Sequence, residues 1–271
     1  MDVSIIVPVY NSSANLHKLS KEIKSNVKKQ LNYEILLVND FSLDDSWNII
    51  KYLSKKNRDI RGINLKKNYG QHTAIFVGLK YARGKKIITM DDDLQHPPKS
   101  LNNIIDALDS YDLCYTLYIK RKHLIWKKTV SYINNIFSSF LFNKSYKIYL
   151  SSFRGFRSNL LPSILKNRKK VIFIDSLLLH STKKITTIEV KHKKRYQGES
   201  TYDVKNLFSL WFDMIENYHF FPIRFGSFIG IISYLIVKLL RFNLKKFNKK
   251  IEIKEKTFRK LSYFFIDNLK Y

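Results

Sequence analysis

Cysteine and acidic residues are scarce in this 271-residue sequence. The single cysteine, Cys114, excludes an intramolecular disulfide, and its place in an apolar run indicates a buried thiol rather than a nucleophile. No basic segment precedes the first apolar run, which Pro8 interrupts, so we expect no secretory signal. The N-terminal part is therefore expected to stay in a reducing cytoplasm.

The acidic deficit makes the chain strongly basic. The chain has only 22 Asp and Glu residues but 49 Lys and Arg residues, which gives a formal net charge of +27. Such a balance favours anionic partners, namely nucleic acid, phospholipid headgroups or phosphorylated substrates. The alternative is a lysine-rich composition with solvated lysines, which fits the first hundred residues better than the chain after Lys183. Apolar residues form 45% of the chain, which excludes a disordered polycation.

Strand-like and helix-like periodicities alternate along the first hundred residues. This order predicts an α/β fold with a doubly wound, mostly parallel sheet. The predicted strands are 3–7, 34–38, 63–65 and 86–90, and the predicted helices are 15–29, a helix capped by Asp44 or Asp45 that runs to 53, 71–82, and one that begins at Pro97 and Pro98.

The second half is less regular and ends in a segment suited to a membrane surface. We predict an amphipathic helix at 124–142, a strand at 185–190 and an aromatic-faced helix at 203–218. The apolar segment 220–240 is long enough to span a bilayer. Both of its flanks are basic, which favours a monotopic helix on the cytoplasmic face of the plasma membrane. The predicted domains are therefore 1–202 and a membrane-associated region with a basic tail, 203–271.

Polar residues follow three of the predicted strands. They are found at 8–11, at 39–40 and at 91–95. Because ligands of open parallel sheets bind beyond the carboxyl ends of the strands, we expect these residues to converge on one edge.

Three consecutive carboxylates, Asp91, Asp92 and Asp93, stand at the last of these strand ends. Their mutual repulsion favours a hard divalent cation, Mg²⁺ or Mn²⁺, which takes oxygen ligands and bridges phosphates. On an extended chain, Asp91, Asp93 and Gln95 would share one face and form the metal site. The alternative is a solvated acidic turn that caps the helix at Pro97.

The ordered motifs resemble the family 2 glycosyltransferases of GT-A fold, which transfer sugars from nucleotide-diphosphate donors. Among them the chain is similar to the polyprenyl-phosphate sugar transferases that resemble dolichol-phosphate mannose synthase. The likeness extends from residue 4 to about 226. The matching motifs are SIIVPVYN at 4–11, VNDFS at 38–42 with Asp44, NYGQ at 68–71 with Ala74 and Gly78, DDDLQHPP at 91–98, SFR at 152–154 and RYQGESTY at 195–202.

The resemblance implies a role for each matched residue. The donor's base and ribose would lie among Pro8, Tyr10, Asn11 and Asp40, with Gln71 also at the nucleotide sugar. Asp91 and Asp92 would lie beside the ribose and diphosphate, and Asp93 and Gln95 at the metal. Phosphate oxygens of the donor or acceptor would be bound by Arg121, Arg154, Arg195 and Ser200. Asp93 and Arg195 would be the catalytic pair.

The sequence also departs from this family. Asn39 stands where a carboxylate is usual, Ser12 replaces a common acidic residue, and the C-terminal membrane region is shorter than a pair of spanning helices. The histidines at 72, 96, 180 and 192 lack ligand spacing, so we interpret them as structural or solvated.

The implied reaction is a metal-dependent transfer with inversion at the anomeric carbon. The expected acceptor is a polyprenyl phosphate, whose oxygen is already anionic and needs no strong general base. A hydroxyl of a lipid-linked oligosaccharide is the alternative acceptor, and it would need a base, for which Asp175 is the candidate; the other interpretation of Asp175 is a helix N-cap. A basic nucleic-acid-binding module is the remote third possibility, since the acidic run would repel phosphate without a metal, and we expect no nucleic-acid partner.

Overall fold

A computed structural model of the chain describes residues 1–119, 139, 145, 148–166 and 173–191. Within these residues seven strands form one sheet in the order β3-β2-β1-β4-β6-β5-β7. The strands are β1 (Val3–Val9), β2 (Tyr33–Asn39), β3 (Ile60–Asn64), β4 (Lys86–Thr89), β5 (Leu113–Ile119), β6 (Arg154–Arg157) and β7 (Ile185–Lys191). The helices are α1 (Ser13–Asn26), α2 (Ser46–Lys56), α3 (Gln71–Tyr81), α4 (Leu101–Ser110), α5 (Leu161–Leu165) and α6 (Ile174–Ser181), with short 3₁₀ turns at Pro98–Ser100 and Ser158–Leu160.

Six of these strands run in one direction, and β6 runs against them. β1 pairs in parallel with β2 and β4, and β5 pairs in parallel with β7. β6 is antiparallel to both β4 and β5, with Thr89 opposite Arg154. The amino end of β6 therefore lies at the same edge of the sheet as the carboxyl ends of its neighbours. The predicted α/β fold with a mostly parallel sheet is confirmed.

Helices cover both faces of the sheet. All residues of β1 are buried, as expected for a parallel strand covered on both sides. Alternate residues of this strand serve two cores. Ile5 packs in the cluster that includes residues of α1, α2 and α4, whereas Ile6 packs with α3, α5 and α6.

A buried carboxylate ties the strands together at the opposite edge, where the parallel strands begin. Glu34 on β2 is 2% exposed and accepts hydrogen bonds from Ser4 Oγ (2.6 Å), Arg61 Nη1 (2.7 Å) and the N–H of Arg83 (2.8 Å). Burial alone would raise the pKa of Glu34, but these hydrogen bonds outweigh it and lower that pKa. This clamp joins β1, β2 and β3 to the turn that precedes β4.

The predicted elements of the first half are present with shifted ends. β3 begins at Ile60 rather than at residue 63, and α1 ends at Asn26 rather than at residue 29, since the chain is extended at Val27. The strand predicted at 185–190 is β7, and the predicted burial of Cys114 is confirmed.

The cap predicted for α2 is provided by Asp44. Its carboxylate accepts the N–H of Ser46 (3.0 Å) at the start of α2 and the N–H of Ser13 (2.9 Å) at the start of α1. Asp45 occupies the N-cap position but makes no capping hydrogen bond with its side chain. One carboxylate therefore holds the first turns of two helices side by side.

Much of the predicted C-terminal architecture lies outside the described residues. This applies to the helices at 124–142 and 203–218, to the apolar segment 220–240 and to the boundary at 202. Among the residues that the structure describes, no helix has both the length and the apolar character needed to cross a membrane.

Candidate active site

The loops after β1 and β2 are joined to each other at the carboxyl edge of the sheet. Asn11 donates its N–H to Ser42 Oγ (3.0 Å), and its side-chain Oδ1 accepts the N–H of Leu43 (2.8 Å). The loop after β4 meets the first loop, because the N–H of Tyr10 donates to Asp92 Oδ2 (3.1 Å). The convergence that the sequence predicts is therefore present.

Each of these three loops contains one non-glycine residue in the left-handed region. The φ angles are 50° at Asn11, 60° at Phe41 and 63° at Leu94. This conformation costs about 1–2 kcal/mol for a residue with a side chain. Asparagine accepts it more readily than phenylalanine or leucine, so the turns at Phe41 and Leu94 are held by their surroundings. Such strain is concentrated at functional sites.

Asp40 forms hydrogen bonds with the turn that precedes α3. It is 3% exposed, and its two carboxylate oxygens accept the N–H groups of Tyr69 and Gly70, both at 2.8 Å. Gly70 has a φ of 86°, which glycine adopts without steric penalty. Asp40 therefore fixes the turn that presents Tyr69 and Gln71, and its predicted contact with the base or ribose stays a prediction.

Asn39 uses its amide in a way that a carboxylate would not reproduce. Its Nδ2 donates to Asn64 Oδ1 (2.7 Å), and its Oδ1 accepts from Ser42 Oγ (2.6 Å). Asn39 is 2% exposed. The asparagine that departs from the family pattern thus links the ends of β2 and β3 to the β2–α2 loop.

The carboxylate of Asp91 is held from three directions. Oδ1 accepts from Gln71 Nε2 (2.5 Å) at the start of α3, and Oδ2 accepts from Ser152 Oγ (2.8 Å). His96 Nε2 lies 3.4 Å from Oδ2. Ser152 is itself fixed, since Thr89 Oγ1 donates to its carbonyl oxygen (2.6 Å). Asp91 thereby connects α3, the segment before β6 and its own loop.

Asp92 has a raised pKa. Burial raises the pKa of Asp92 to about 7, hydrogen bonds from Ser12 and Tyr10 oppose the shift, and the charges of Asp91 and Asp93 add to it. A cation bound at this loop would favour the ionised form of Asp92.

Asp93 and Gln95 flank the left-handed Leu94. Asp93 Oδ1 accepts the N–H of Gln95 (3.0 Å), and both side chains are half-buried. Asp91, Asp93 and Gln95 would share one face only on an extended chain. The chain is not extended here, because β4 ends at Thr89 and the chain bends after Asp91, so the predicted shared face is wrong. The capping alternative is also wrong, because the 3₁₀ turn at Pro98–Ser100 and α4 have no side-chain cap.

The described residues offer only part of a metal coordination shell at this loop. Within the ranges that the structure describes, no three His, Cys, Asp or Glu side chains gather into a ready-made metal site. Mg²⁺ characteristically binds through one or two carboxylates together with substrate phosphates and water. The oxygen donors of Asp93 and Gln95 fit that kind of site.

The motif order and this edge of the sheet agree with a known family. The sequence profile of glycosyl transferase family 2 matches residues 4–165. The chain belongs to glycosyl transferase family 2. It is therefore a glycosyltransferase.

Two similar relatives are bacterial undecaprenyl-phosphate 4-deoxy-4-formamido-L-arabinose transferases. That of Shewanella sediminis is 33% identical over 231 residues, which cover 84% of this chain and 70% of the relative. That of Edwardsiella ictaluri is 31% identical over 247 residues, with coverages of 88% and 75%.

The fold is similar to that of solved nucleotide-sugar transferases. Glucosyl-3-phosphoglycerate synthase from Mycobacterium tuberculosis, crystallised with Mn²⁺, uridine diphosphate and phosphoglyceric acid, superimposes with a TM-score of 0.60. The alignment covers 79% of this chain and 76% of the synthase at 15% identity. At that identity the likeness shows the fold alone, which is the GT-A type.

Arg154 of this glycosyltransferase lies in the interior. It is 1% exposed, forms an ion pair with Asp175 and donates to the carbonyl oxygen of Ser151 (3.2 Å). Tyr115 Oη also donates to Asp175 (2.8 Å). Burial alone would lower the pKa of Arg154, but the attraction of Asp175 outweighs it and raises that pKa. The guanidinium is thus buried against an internal carboxylate, while its Nε and Nη2 have no hydrogen-bond partner among the described residues. The predicted phosphate contact of Arg154 stays a prediction.

Asp175 is neither a helix cap nor exposed. Phe173 occupies the N-cap position of α6, and no side chain caps this helix. Asp175 is 5% exposed and faces Arg154 and Tyr115. The N-cap interpretation is therefore wrong, whereas the role of Asp175 as a general base stays a prediction. Nearby, the ring of His72 packs at a tilt of 58° against Phe173, with the ring centroids 4.9 Å apart. Burial lowers the pKa of His72 to about 4, so this histidine is neutral near pH 7.

Sequence reasoning missed Ser152 and His96 as parts of the site. The resemblance pointed to Arg154 in the segment 152–154, whereas Ser152 is the residue that reaches Asp91. Of the two interpretations of His96, structural or solvated, its 5% exposure agrees with the structural one, but its contacts with Asp91 were not predicted. Arg121, Arg195 and Ser200 lie outside the described residues, and their roles stay predictions.

Proposed function

We propose that this family 2 glycosyltransferase moves a sugar from a nucleoside-diphosphate donor to a polyprenyl phosphate, with inversion and with Mg²⁺ or Mn²⁺. The observation that carries the proposal is the meeting of three strand-end loops around Asp91, Asp92 and Asp93 at one edge of the sheet. The names of the relatives, which are undecaprenyl-phosphate sugar transferases, support the acceptor class.

Exposed aromatic side chains near the loops suit the donor's base. Tyr10, Phe41 and Tyr69 are 47%, 44% and 48% exposed, although each belongs to a tightly hydrogen-bonded loop. Aromatic faces bury much apolar area and stack on other rings. In this proposal the base binds near these residues together with Pro8, Asn11 and Asp40. The ribose and diphosphate extend toward Asp91 and Asp92, with Gln71 beside them.

In this proposal Asp93 and Gln95 would bind the metal ion. Asp91 is also a predicted ligand, but its carboxylate already contacts three side chains, which a metal ion would have to displace or share. When bound, the ion neutralises charge on the departing nucleoside diphosphate.

The transfer needs little proton chemistry from the protein. An anionic phosphate oxygen of the acceptor attacks the anomeric carbon from the face opposite the diphosphate. The new carbon–oxygen bond forms as the bond between the anomeric carbon and the diphosphate breaks. The electron pair of the broken bond leaves with the diphosphate. The burial of Asp175 in an ion pair fits a reaction without a strong general base. The predicted phosphate ligands, Arg121, Arg195 and Ser200, would complete the acceptor side.

The same proposal places the enzyme at the cytoplasmic face of the plasma membrane. A lipid acceptor must be reached from the membrane surface, and the apolar segment 220–240 between two basic flanks suits attachment there. No nucleic acid takes part in this function.

The decisive assay offers the purified enzyme a panel of nucleotide sugars. Each sugar is tested with undecaprenyl phosphate, with a lipid-linked oligosaccharide and without acceptor, in the presence of Mg²⁺ or Mn²⁺. We expect a glycosylated undecaprenyl phosphate from one donor. Transfer to the oligosaccharide alone would support the alternative acceptor, and no transfer from any donor would contradict the proposal.

A further inference from the structure

His96 is buried directly beside the acidic run. The side chain is 5% exposed and lies against two aromatic rings. Its ring stacks on Phe153 with a centroid distance of 5.0 Å and an interplanar angle of 12°, and on Tyr118 at 6.0 Å and 21°. These stacks fix the plane of the imidazole.

The two ring nitrogens of His96 have different partners. Nδ1 accepts a hydrogen bond from the main-chain N–H of Asp91 at 2.9 Å. A nitrogen that accepts a hydrogen bond carries no proton, so the ring proton of the neutral imidazole is on Nε2. Nε2 lies 3.4 Å from Asp91 Oδ2. The hydrogen bond from the main-chain N–H is therefore the polar contact that joins His96 to Asp91.

Asp91 is consequently restrained at both its main chain and its side chain. His96 accepts the main-chain N–H and its Nε2 lies near Oδ2, while Gln71 and Ser152 donate to the carboxylate from other elements. A carboxylate held in one orientation before its ligand arrives loses less conformational freedom on binding.

We propose that His96 is a positioning residue that sets the direction of the Asp91 carboxylate toward the nucleotide donor. This inference rests on the proposed function, in which Asp91 lies beside the ribose and diphosphate. His96 does not touch the donor. It acts through the Asp91 main chain, by accepting its N–H from a ring that two aromatic side chains hold in place.

Two substitutions separate the hydrogen bond from the ring stacking. His96→Asn keeps an acceptor near the position of Nδ1 but loses the ring, whereas His96→Phe keeps the ring and loses both nitrogens. Affinities for UDP, GDP, CDP and dTDP with Mn²⁺ are measured by calorimetry, and thermal unfolding is followed in parallel. His17→Phe is the matched control, because His17 is an exposed histidine on α1.

Positioning predicts that His96→Phe weakens binding of the preferred nucleoside diphosphate about tenfold, and that His96→Asn restores it to within about threefold of wild type. With the donor that the panel selects, the KM of His96→Phe should rise more than its kcat falls. A purely structural role for the ring predicts the reverse order of the two variants. That order, or wild-type affinity in His96→Phe, would overturn the inference.

A spectroscopic measurement keeps this inference separate from the proposed function. In wild-type enzyme labelled with ¹⁵N-histidine, His96 should show the signature of an Nε2-protonated neutral ring, identified by its loss in His96→Phe. The Nδ1-protonated form would overturn the inference whatever the donor. Failure of wild type to bind any of the four nucleotides would instead overturn the proposed function, and with it the donor-directed role of His96.

Discussion

Gln71 Nε2 donates a 2.5 Å hydrogen bond to Asp91 Oδ1, which joins the first residue of α3 to the acidic run after β4. The contact spans two strand-end loops, since α3 follows β3 and Asp91 follows β4. It couples the turn that Asp40 supports to Asp91, whose main-chain N–H donates to His96 and whose carboxylate accepts from Ser152.

Loss of this contact should weaken catalysis. Gln71→Ala removes a hydrogen bond to a charged group, worth about 1.5–3 kcal/mol, so we expect kcat/KM for the donor to fall about tenfold or more. Gln71→Glu should fall further, because it places a second carboxylate against Asp91. Gln30→Ala, at an exposed turn, is the control. Activity of Gln71→Ala within twofold of wild type would contradict the role of this contact.

Metal dependence is tested at Asp93. Asp93→Ala should abolish transfer while thermal unfolding stays near that of wild type, because Asp93 is half-buried at a loop rather than in a core. Chelation of divalent ions should also abolish transfer by wild type, and Mn²⁺ or Mg²⁺ should restore it. Asp106→Ala removes a carboxylate that is 54% exposed and serves as the control. Full activity of wild type in the presence of chelator would contradict metal dependence.

The pair Arg154 and Asp175 should govern stability more than catalysis. Arg154→Met leaves a buried carboxylate without its partner, which typically costs about 3–5 kcal/mol. The double variant with Asp175→Asn should lose less stability than Arg154→Met alone. Urea unfolding in detergent measures both. A stable Arg154→Met enzyme with weakened phosphate binding would instead support the predicted role of Arg154 as a phosphate ligand.

Glu34 should make the free energy of unfolding depend on pH. The pKa of Glu34 is lowered in the fold from its ordinary value of 4.5, so its contribution is fully present above about pH 4.5 and is lost as pH falls toward the folded-state pKa. Wild type should therefore lose more stability than Glu34→Gln between pH 6 and about pH 3. Glu189→Gln, exposed on β7, should retain the wild-type slope. Parallel slopes for wild type and Glu34→Gln would exclude this contribution.

The attachment to the membrane can be tested by cysteine labelling. In a Cys114→Ser background, Phe265→Cys places a thiol beyond the apolar segment 220–240. Because both flanks of that segment are basic, we expect a membrane-impermeant reagent to label this thiol only after the cells are permeabilised. Labelling of intact cells would instead demonstrate a single span.

The sequence predicts the parallel half of the fold well because its signals are local. Long buried runs such as 3–7 and 34–38 mark central strands, and the polar residues after them mark the edge. β6 was not predicted, because four residues including Arg154 and Gly155 carry no readable periodicity. Its pairing with β4 and β5 is a tertiary relationship between distant segments.

The site is predictable in its residue types but not in its contacts. The acidic run and Gln71 were found from the motifs, whereas the hydrogen bonds of Ser152 and His96 to Asp91 depend on how β6 packs and on where the chain bends. Arg154 illustrates the limit. An arginine in a motif suggests a phosphate ligand, and only the burial of its neighbour Asp175 explains why it points inward.

The reversed direction of β6 has a consequence for how much variation this edge tolerates. β5 and β6 are antiparallel neighbours, so β5 ends and β6 begins at the same edge of the sheet. The connection between Ile119 and Arg154 therefore starts and finishes at this edge, on two neighbouring strands. Loop-closure entropy rises slowly with length, by about 0.6 kcal/mol for each doubling. A change in the length of this connection ahead of Ser152, which contacts Asp91, should therefore leave the register of the sheet unchanged.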